Sequence, residues 1–194
     1  AGQFAAVANP LDATMGGTIA GANDITNLFS IAAGNIAANS SLATFNSAAN
    51  DYDASIAFSG KSSAWGGNFA MPPGVGGLYF NAGASDTVVT FVGDVVQGSY
   101  NVATLPAAQF TLGGSPVPLG GDVSDLNTVL GLAPSANDSV ATFNSAGNDW
   151  NASVAWSARS SAWGSALTIN PGQGFLYFNA SASANPWVSN FTVQ

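Results

Sequence analysis

The sequence predicts an all-β protein made of two tandem homologous β-sandwich-like modules with short helical insertions, and three observations support this prediction. Residues 43–82 and 141–180 align without a gap, and 25 of the 40 aligned positions are identical. Apolar and polar residues alternate with a period of two, which is typical of half-buried strands. Short segments rich in Gly, Pro, Asn and Asp separate these runs and indicate turns. We therefore expect a first β repeat in residues 1–98 and a second in residues 99–194.

The predicted strands fall at matching places in the two repeats. In the first repeat we expect strands at residues 3–8, 42–46, 54–59, 77–81 and 87–92, and in the second at residues 109–112, 140–144, 152–157, 175–179 and 188–193. Segments 47–51 and 145–149 are rich in turn-forming residues, so each predicts a β-hairpin. Residues 23–31 and 122–130 are expected to be short helices, because Asp24 and Asp122 stand where an N-terminal cap is favoured.

The composition is unusually poor in charge. Charged residues make up 6% of the chain, whereas about 25% is typical. The cations are Lys61 and Arg159, all ten acidic residues are Asp, and the net charge is −8. Two cations in different repeats cannot form a surface for nucleic acid or for anionic membranes. The chain also lacks the run of 18 or more apolar residues that predicts a membrane-inserted helix.

The residue types needed for several kinds of catalysis are missing. Cys and His are absent, which excludes disulfides, zinc fingers and Ser-His-Asp catalysis. Lys61 is a poor candidate for a general base because its counterpart is Arg159, which stays protonated near neutral pH. Asp51 and Asp53 could form a carboxylate pair, but Asp53 becomes Asn151 in the second repeat. We therefore predict that the protein is not an enzyme and uses no cofactor or metal.

Two binding hypotheses remain open at this point. Oxygen-rich loops can bind Ca²⁺, and the candidate ligands are Asn46, Asn50, Asp51 and Asp53, with a weaker copy at Asn144, Asn148, Asp149 and Asn151. Tryptophan side chains can stack on sugars, and the candidates are Trp65, Trp150, Trp156, Trp163 and Trp187. An aromatic residue retained in both copies more often fills a core position. We expect Trp65 and Trp163 to be mostly buried.

Several motifs resemble those of a known group of proteins. They are Gln-Phe…Ala-Asn-Pro-Leu at 3–11, Phe-Val-Gly-Asp-Val-Val-Gln-Gly at 91–98, Pro-Gly-Gln-Gly-Phe at 171–175 and Trp…Phe-Thr-Val at 187–193. In these motifs the chain resembles uncharacterised exported two-repeat β proteins of Planctomycetes and Verrucomicrobia-type bacteria. The first repeat departs from the pattern, with Gly77 where the second has Phe175. The resemblance implies an exported β protein and assigns no activity or site residues.

These observations lead to one main functional expectation and two alternatives. Lys residues commonly guard sheet edges against pairing, and a single Lys leaves this chain with little protection. We expect a secreted, extracellular or cell-surface structural protein that assembles with copies of itself through β-strands into a filament or array. Its start at Ala1, without Met, is compatible with signal-peptide cleavage. The tentative assembly residues are Phe4, Val7, Phe191 and Val193. The alternatives are a secreted carbohydrate-binding module, with polysaccharide as partner, and an ice-binding or surface-active protein.

Overall fold

The protein is all-β, as the sequence predicts. The computed structural model describes residues 2–14, 20–29 and 36–193. The first half contains strands β1 (Gln3–Ala8), β2 (Ser41–Ala43), β3 (Phe45–Asn46), β4 (Asp51–Tyr52), β5 (Ile56–Ser59), β6 (Ala64–Trp65) and β7 (Gly76–Asn81). The second half contains β8 (Gly98–Leu105), β9 (Gln109–Gly114), β10 (Gly121–Asp122), β11 (Ser139–Asn144), β12 (Asp149–Trp150), β13 (Val154–Ser157), β14 (Ala162–Trp163), β15 (Thr168–Ile169), β16 (Gly174–Asn179) and β17 (Asn185–Phe191). The helices are α1 (Ile25–Leu28) and α2 (Val123–Val129).

Each half of the chain builds its own antiparallel sheet. The first sheet has the order β1-β7-β2-β5-β6, and the second has the order β14-β13-β11-β16-β9 with β12 paired to β11. The remaining strands form three two-stranded pairs: the hairpin β3–β4 and the pairs β10–β15 and β17–β8. The strands β8 and β17 form a two-stranded ribbon whose members come from the start and the end of the second half.

Residues 43–82 and 141–180 fold into equivalent strands and turns, as their alignment predicts. Leu42 lies opposite Ile56 in the first sheet, and Val140 lies opposite Val154 in the second. Ile56 and Val154 are both half-buried. The equivalent turns also adopt the same backbone conformation, as shown by positive φ angles of 67° at Asn39 and 68° at Asn137, 51° at Asn50 and 50° at Asn148, and 50° at Ser63 and 48° at Ser161.

Two apolar cores lie beside the two sheets. In the first, α1 contributes Ile25 and Leu28 and the sheet contributes Leu42, Phe58 and Tyr79. In the second, the ribbon contributes Val102, Leu105 and Trp187, which pack on Phe175 and Tyr177 of the sheet. The second core is therefore covered by two paired strands in addition to α2.

The two sheets meet along β1, β7, β9 and β16. The Ala8 N–H donates to the carbonyl of Gly172 at 2.9 Å, and the equivalent Gly114 N–H donates to the carbonyl of Gly74 at 3.0 Å. A Cβ atom at Gly114 would lie 2.2 Å from that of Ala8, so this approach requires glycine. The reciprocal hydrogen bonds therefore hold the two repeats together and cover the edges of β1 and β9 at this junction.

Two predictions about individual elements are wrong. Residues 87–92 form no strand, although the equivalent stretch of the second repeat lies in β17. The physical reason is that these residues have no neighbouring strand among those described, whereas β17 forms a ladder with β8. The helix expected at 23–31 is confined to Ile25–Leu28 among the described residues, and Ile31 lies outside them. Asp24 precedes it in an extended conformation but makes no side-chain cap.

Candidate assembly surface

The predicted N-terminal assembly residues are already engaged within the chain. All six residues of β1 are in register with β7, from Gln3 opposite Asn81 to Ala8 opposite Gly76. The Phe4 ring packs on the Phe80 ring with their centroids 4.8 Å apart, and Val7 packs against the first core. Exchange of this strand between molecules would first have to break that ladder.

The predicted C-terminal residues have different environments. Phe191 ends β17 opposite Gly98 and packs against the second core. Val193 follows the strand and is 56% exposed. Among Phe4, Val7, Phe191 and Val193, only Val193 therefore presents a largely exposed apolar side chain. The structure does not bring Val193 together with β1 in any backbone pairing among the described residues.

A further assembly candidate lies in residues 86–93, hereafter the unpaired segment. Its side chains alternate as in a strand, because Val89 and Phe91 pack on the first core while Val88 is 74% exposed and Val92 is 51% exposed. No backbone group of residues 86–93 makes a hydrogen bond within the described part of the chain. Backbone groups without a partner among the described residues, beside exposed valines, form an edge on which another strand can pair.

Sequence reasoning identified the alternation of the unpaired segment but missed its open edge. The signal was available in the repeat itself. A stretch that copies β17 needs a strand like β8 beside it, and the sequence prediction assigned no such strand next to residues 87–92. A search for the partner of each predicted strand, in addition to the strand itself, would have identified the open edge.

Charge does little to protect this edge. Residues 87–93 contain no charged side chain, and Asp86 and Asp94 stand at either end. Lys61 and Arg159 lie in the equivalent turns before β6 and β14, where both are exposed. Pairing at the outer edges of the two sheets is limited by strand length. The edge strands β6 and β14 are only two residues long, and short edge strands present few backbone groups to another chain.

Three of the candidate metal ligands, Asp51, Asp53 and Asn151, form hydrogen bonds within their own hairpins. The Asp53 carboxylate accepts the Thr44 hydroxyl at 2.7 Å, and the Asp51 carboxylate accepts the Tyr52 N–H at 2.7 Å. In the second repeat the Asn151 amide donates to the Thr142 hydroxyl oxygen at 3.0 Å instead. No group of three or more His, Cys, Asp or Glu side chains in the described ranges could hold a metal ion. These contacts match the turn interpretation of the sequence.

The tryptophan side chains pack inside the fold. Trp163 is 7% exposed, which confirms its expected burial, and Trp187 is buried as well. Trp65 is half-buried and stacks edge-on against Phe29 and Phe58 with centroid distances of 5.8 and 5.6 Å. The remaining two, Trp150 and Trp156, are also half-buried. None of the five therefore forms a fully exposed platform for a sugar ring.

The most perturbed ionisable group stabilises the second core. Burial, together with the hydrogen bond to Asp138 at 2.6 Å, raises the pKa of Tyr177 well above its ordinary value. The Asp138 carboxylate also accepts the N–H groups of Ser135 and Ala180. It thereby ties the turn before β11 to the end of β16. The equivalent residue of the first repeat is Ser40, and the Tyr79 hydroxyl there has no hydrogen-bond partner.

Comparisons with known proteins add no relative to this description. No protein-family model, curated protein or solved structure matches the chain. Among the described helices, none has the length and apolar character needed to cross a membrane.

Proposed function

We propose that this chain is a secreted structural protein that assembles with copies of itself through β-strands into an extracellular filament or surface array. In this proposal residues 1–98 and 99–194 are two homologous modules of one building block. The observation that carries the proposal is the unpaired segment, whose backbone groups make no hydrogen bond to the described residues and which exposes Val88 and Val92. The resemblance to exported bacterial β proteins supports the extracellular location.

The composition of the chain favours the same function. Soluble monomers commonly use mixed surface charge to stay apart, and only 6% of these residues are charged. Contacts made through main-chain hydrogen bonds and apolar burial depend weakly on ionic strength. The proposed assemblies should therefore persist in about 0.5 M salt, where the Debye length is only a few ångströms.

Negative-stain microscopy and light scattering of the full chain test this proposal. Filaments, arrays or large closed particles that survive moderate salt are the expected result. Protein that stays strictly monomeric at millimolar concentration would refute it. Dispersed particles that are retained on polysaccharide would instead support the carbohydrate-binding alternative.

The role of β1 can be tested separately with a reversible disulfide. Gln3 and Asn81 lie opposite each other in the β1–β7 ladder, and the chain contains no Cys of its own. The double variant Gln3→Cys/Asn81→Cys should lock β1 to β7 when oxidised. If assembly requires exchange of β1, oxidation abolishes it and reduction restores it. If the oxidised and reduced forms assemble equally, Phe4 and Val7 are not part of the contact, and the proposed function is unaffected.

A further inference from the structure

The two repeats differ at one structural position. With the offset of 98 residues that aligns the sheets, Thr87 corresponds to Asn185 and Val89 to Trp187. In the second repeat this stretch is β17, which pairs antiparallel with β8 from Asn185 opposite Leu105 to Phe191 opposite Gly98. In the first repeat the same stretch has no partner among the described residues. Within the described ranges the first repeat therefore shows no equivalent of β8.

The missing strand has an identifiable counterpart. Strand β8 directly precedes β9, and β9 is the counterpart of β1 by an offset of 106 residues. In the second repeat β8 is therefore the strand that fills the position beside β17.

A groove marks the place of the missing strand. It has a volume of about 460 Å³ and lies between β1 and the unpaired segment, where Ala5, Val7, Val89 and Phe91 line it. The equivalent place in the second repeat, between β9 and Trp187, retains only about 220 Å³. That smaller space is lined by Ala103 of β8 and by Trp187, which stands at the place of Val89.

The glycines at the base of these two spaces show the same difference. A Cβ atom at Gly74 would lie 2.4 Å from the Val102 side chain of β8, so this position is filled. A Cβ atom at the equivalent Gly172 would meet the Phe91 ring at 3.8 Å, which is ordinary contact. In the first repeat the Phe91 ring therefore contacts this glycine loosely, whereas in the second repeat Val102 of β8 packs tightly against it.

Resting on the proposed self-assembly, we propose that residues 87–92 pair antiparallel with the same residues of a second copy across a two-fold axis. Within the described ranges, the side chains of residues 86–93 alternate in burial and their backbone groups make no hydrogen bonds, so each copy can offer an edge to the other. The ribbon β17–β8 shows that this position accepts an antiparallel strand. Pairing would satisfy both sets of backbone groups, and an isologous contact closes on itself.

The side-chain pattern restricts how the two copies align. Residues directly opposite each other share a face, so the outward Val88, Thr90 and Val92 should meet outward residues of the second copy. Placing Thr90 opposite its own copy would also set Asp86 opposite Asp94, and like charges directly opposite are unfavourable. The favoured alignments therefore have Val89 or Phe91 opposite its own copy.

A charge placed on the edge tests the contact. Val88→Lys introduces the residue that natural edge strands use against pairing, at a side chain that is 74% exposed, so the fold should keep its melting temperature. The matched control is Ala48→Lys in the exposed turn between β3 and β4. We expect Val88→Lys to raise the dissociation constant of the two-copy contact at least about tenfold, and Ala48→Lys to leave it within about twofold.

Hydrogen exchange locates the contact independently of any variant. The amides of residues 87–92 should exchange rapidly in dilute protein and become protected as concentration rises, while amides of β7 should be protected at all concentrations. Exchange at 87–92 that is rapid at every concentration, or a dissociation constant unchanged by Val88→Lys, would overturn the proposal.

The outcomes separate this inference from the proposed function. Pairs that never grow beyond two copies would support the inference and refute the filament or array. Filaments that are insensitive to Val88→Lys would refute the inference and leave the proposed function standing. A third measurement adds a synthetic peptide of residues 97–106, which contains β8, and follows hydrogen exchange at residues 87–92. If the peptide protects residues 87–92 in a chain that never pairs with itself, the strand position takes another polypeptide and the second-copy proposal is overturned.

Discussion

Trp163 offers the sharpest test of whether the retained tryptophans are core residues or a sugar-binding platform. Its side chain is 7% exposed, packs edge-on against Trp156 at a centroid distance of 5.5 Å, and donates its indole N–H to the Asn127 side chain at 3.2 Å. A buried indole removes roughly 200 Å² from water, which corresponds to about 5 kcal/mol at ~25 cal/mol per Å². Trp163→Ala should therefore destabilise the fold by about 3–5 kcal/mol.

The equivalent Trp65 provides the matched comparison. It is only half-buried, and its indole N–H has no hydrogen-bond partner. Trp65→Ala should thus lower the free energy of unfolding by less, roughly 2–3 kcal/mol on the same area argument. Trp65→Phe should be nearly neutral, whereas Trp163→Phe should lose about 1 kcal/mol with its hydrogen bond.

Urea unfolding followed by far-ultraviolet circular dichroism measures these differences without relying on tryptophan emission. A change below about 0.5 kcal/mol for Trp163→Ala, which is typical of surface sites, would contradict its role in the core. Combined with loss of polysaccharide retention, that result would move Trp163 into a ligand site.

Further predictions concern pH, backbone conformation and metals. Hydrogen bonds lower the pKa of Asp12 despite its partial burial, and they also lower the pKa of Asp122. Both carboxylates therefore stabilise the fold above about pH 4. The free energy of unfolding should decline when the protein is titrated with acid below that pH. Tyr177, with its raised pKa, stays protonated when folded but ionises near pH 10 when unfolded, so stability should fall above that pH in the wild type and much less in Tyr177→Phe. Gly131→Ala should destabilise far more than Gly98→Ala in urea unfolding, because both have positive φ but only the added Cβ at Gly131 would lie 1.8 Å from the Val188 carbonyl oxygen. A chelator should leave the melting temperature unchanged, and a loss restored by Ca²⁺ would contradict that expectation.

The sequence repeat was a reliable guide to most of the fold because local patterns determine it. The aromatic pairs Phe58–Trp65 and Trp156–Trp163 have the same interplanar angle of 71°. Alternation places these residues on one face of their hairpins, and hairpin pairing is a short-range contact that the sequence records directly.

The errors occurred where a long-range partner decides the structure. The pattern at 87–92 is that of a strand, yet a strand also needs a neighbour, and alternation carries no information about whether one is present. Likewise, β1 looked available for exchange in the sequence, whereas the structure pairs it with a strand about seventy residues later. Among the described residues helix α1 is shorter than predicted, and the side-chain cap expected from Asp24 is not made.

Composition alone also does not show which sheet edges are open. A shortage of Lys predicts unguarded edges, but the structure closes two of them at the junction of β1 and β9 and shortens two more at β6 and β14. Val88 and Val92 could not have been chosen over Val193 without knowing which backbone remains unpaired.

Sedimentation velocity of the full chain over a range from about 1 μM to 1 mM, at low and at moderate salt, tests the central claim most directly. Self-assembly through strands predicts that the average mass rises with concentration in both salts, and that Val88→Lys displaces this rise to higher concentration while Ala48→Lys does not. A single species with the 19.3 kDa mass of one chain at every concentration would contradict the account.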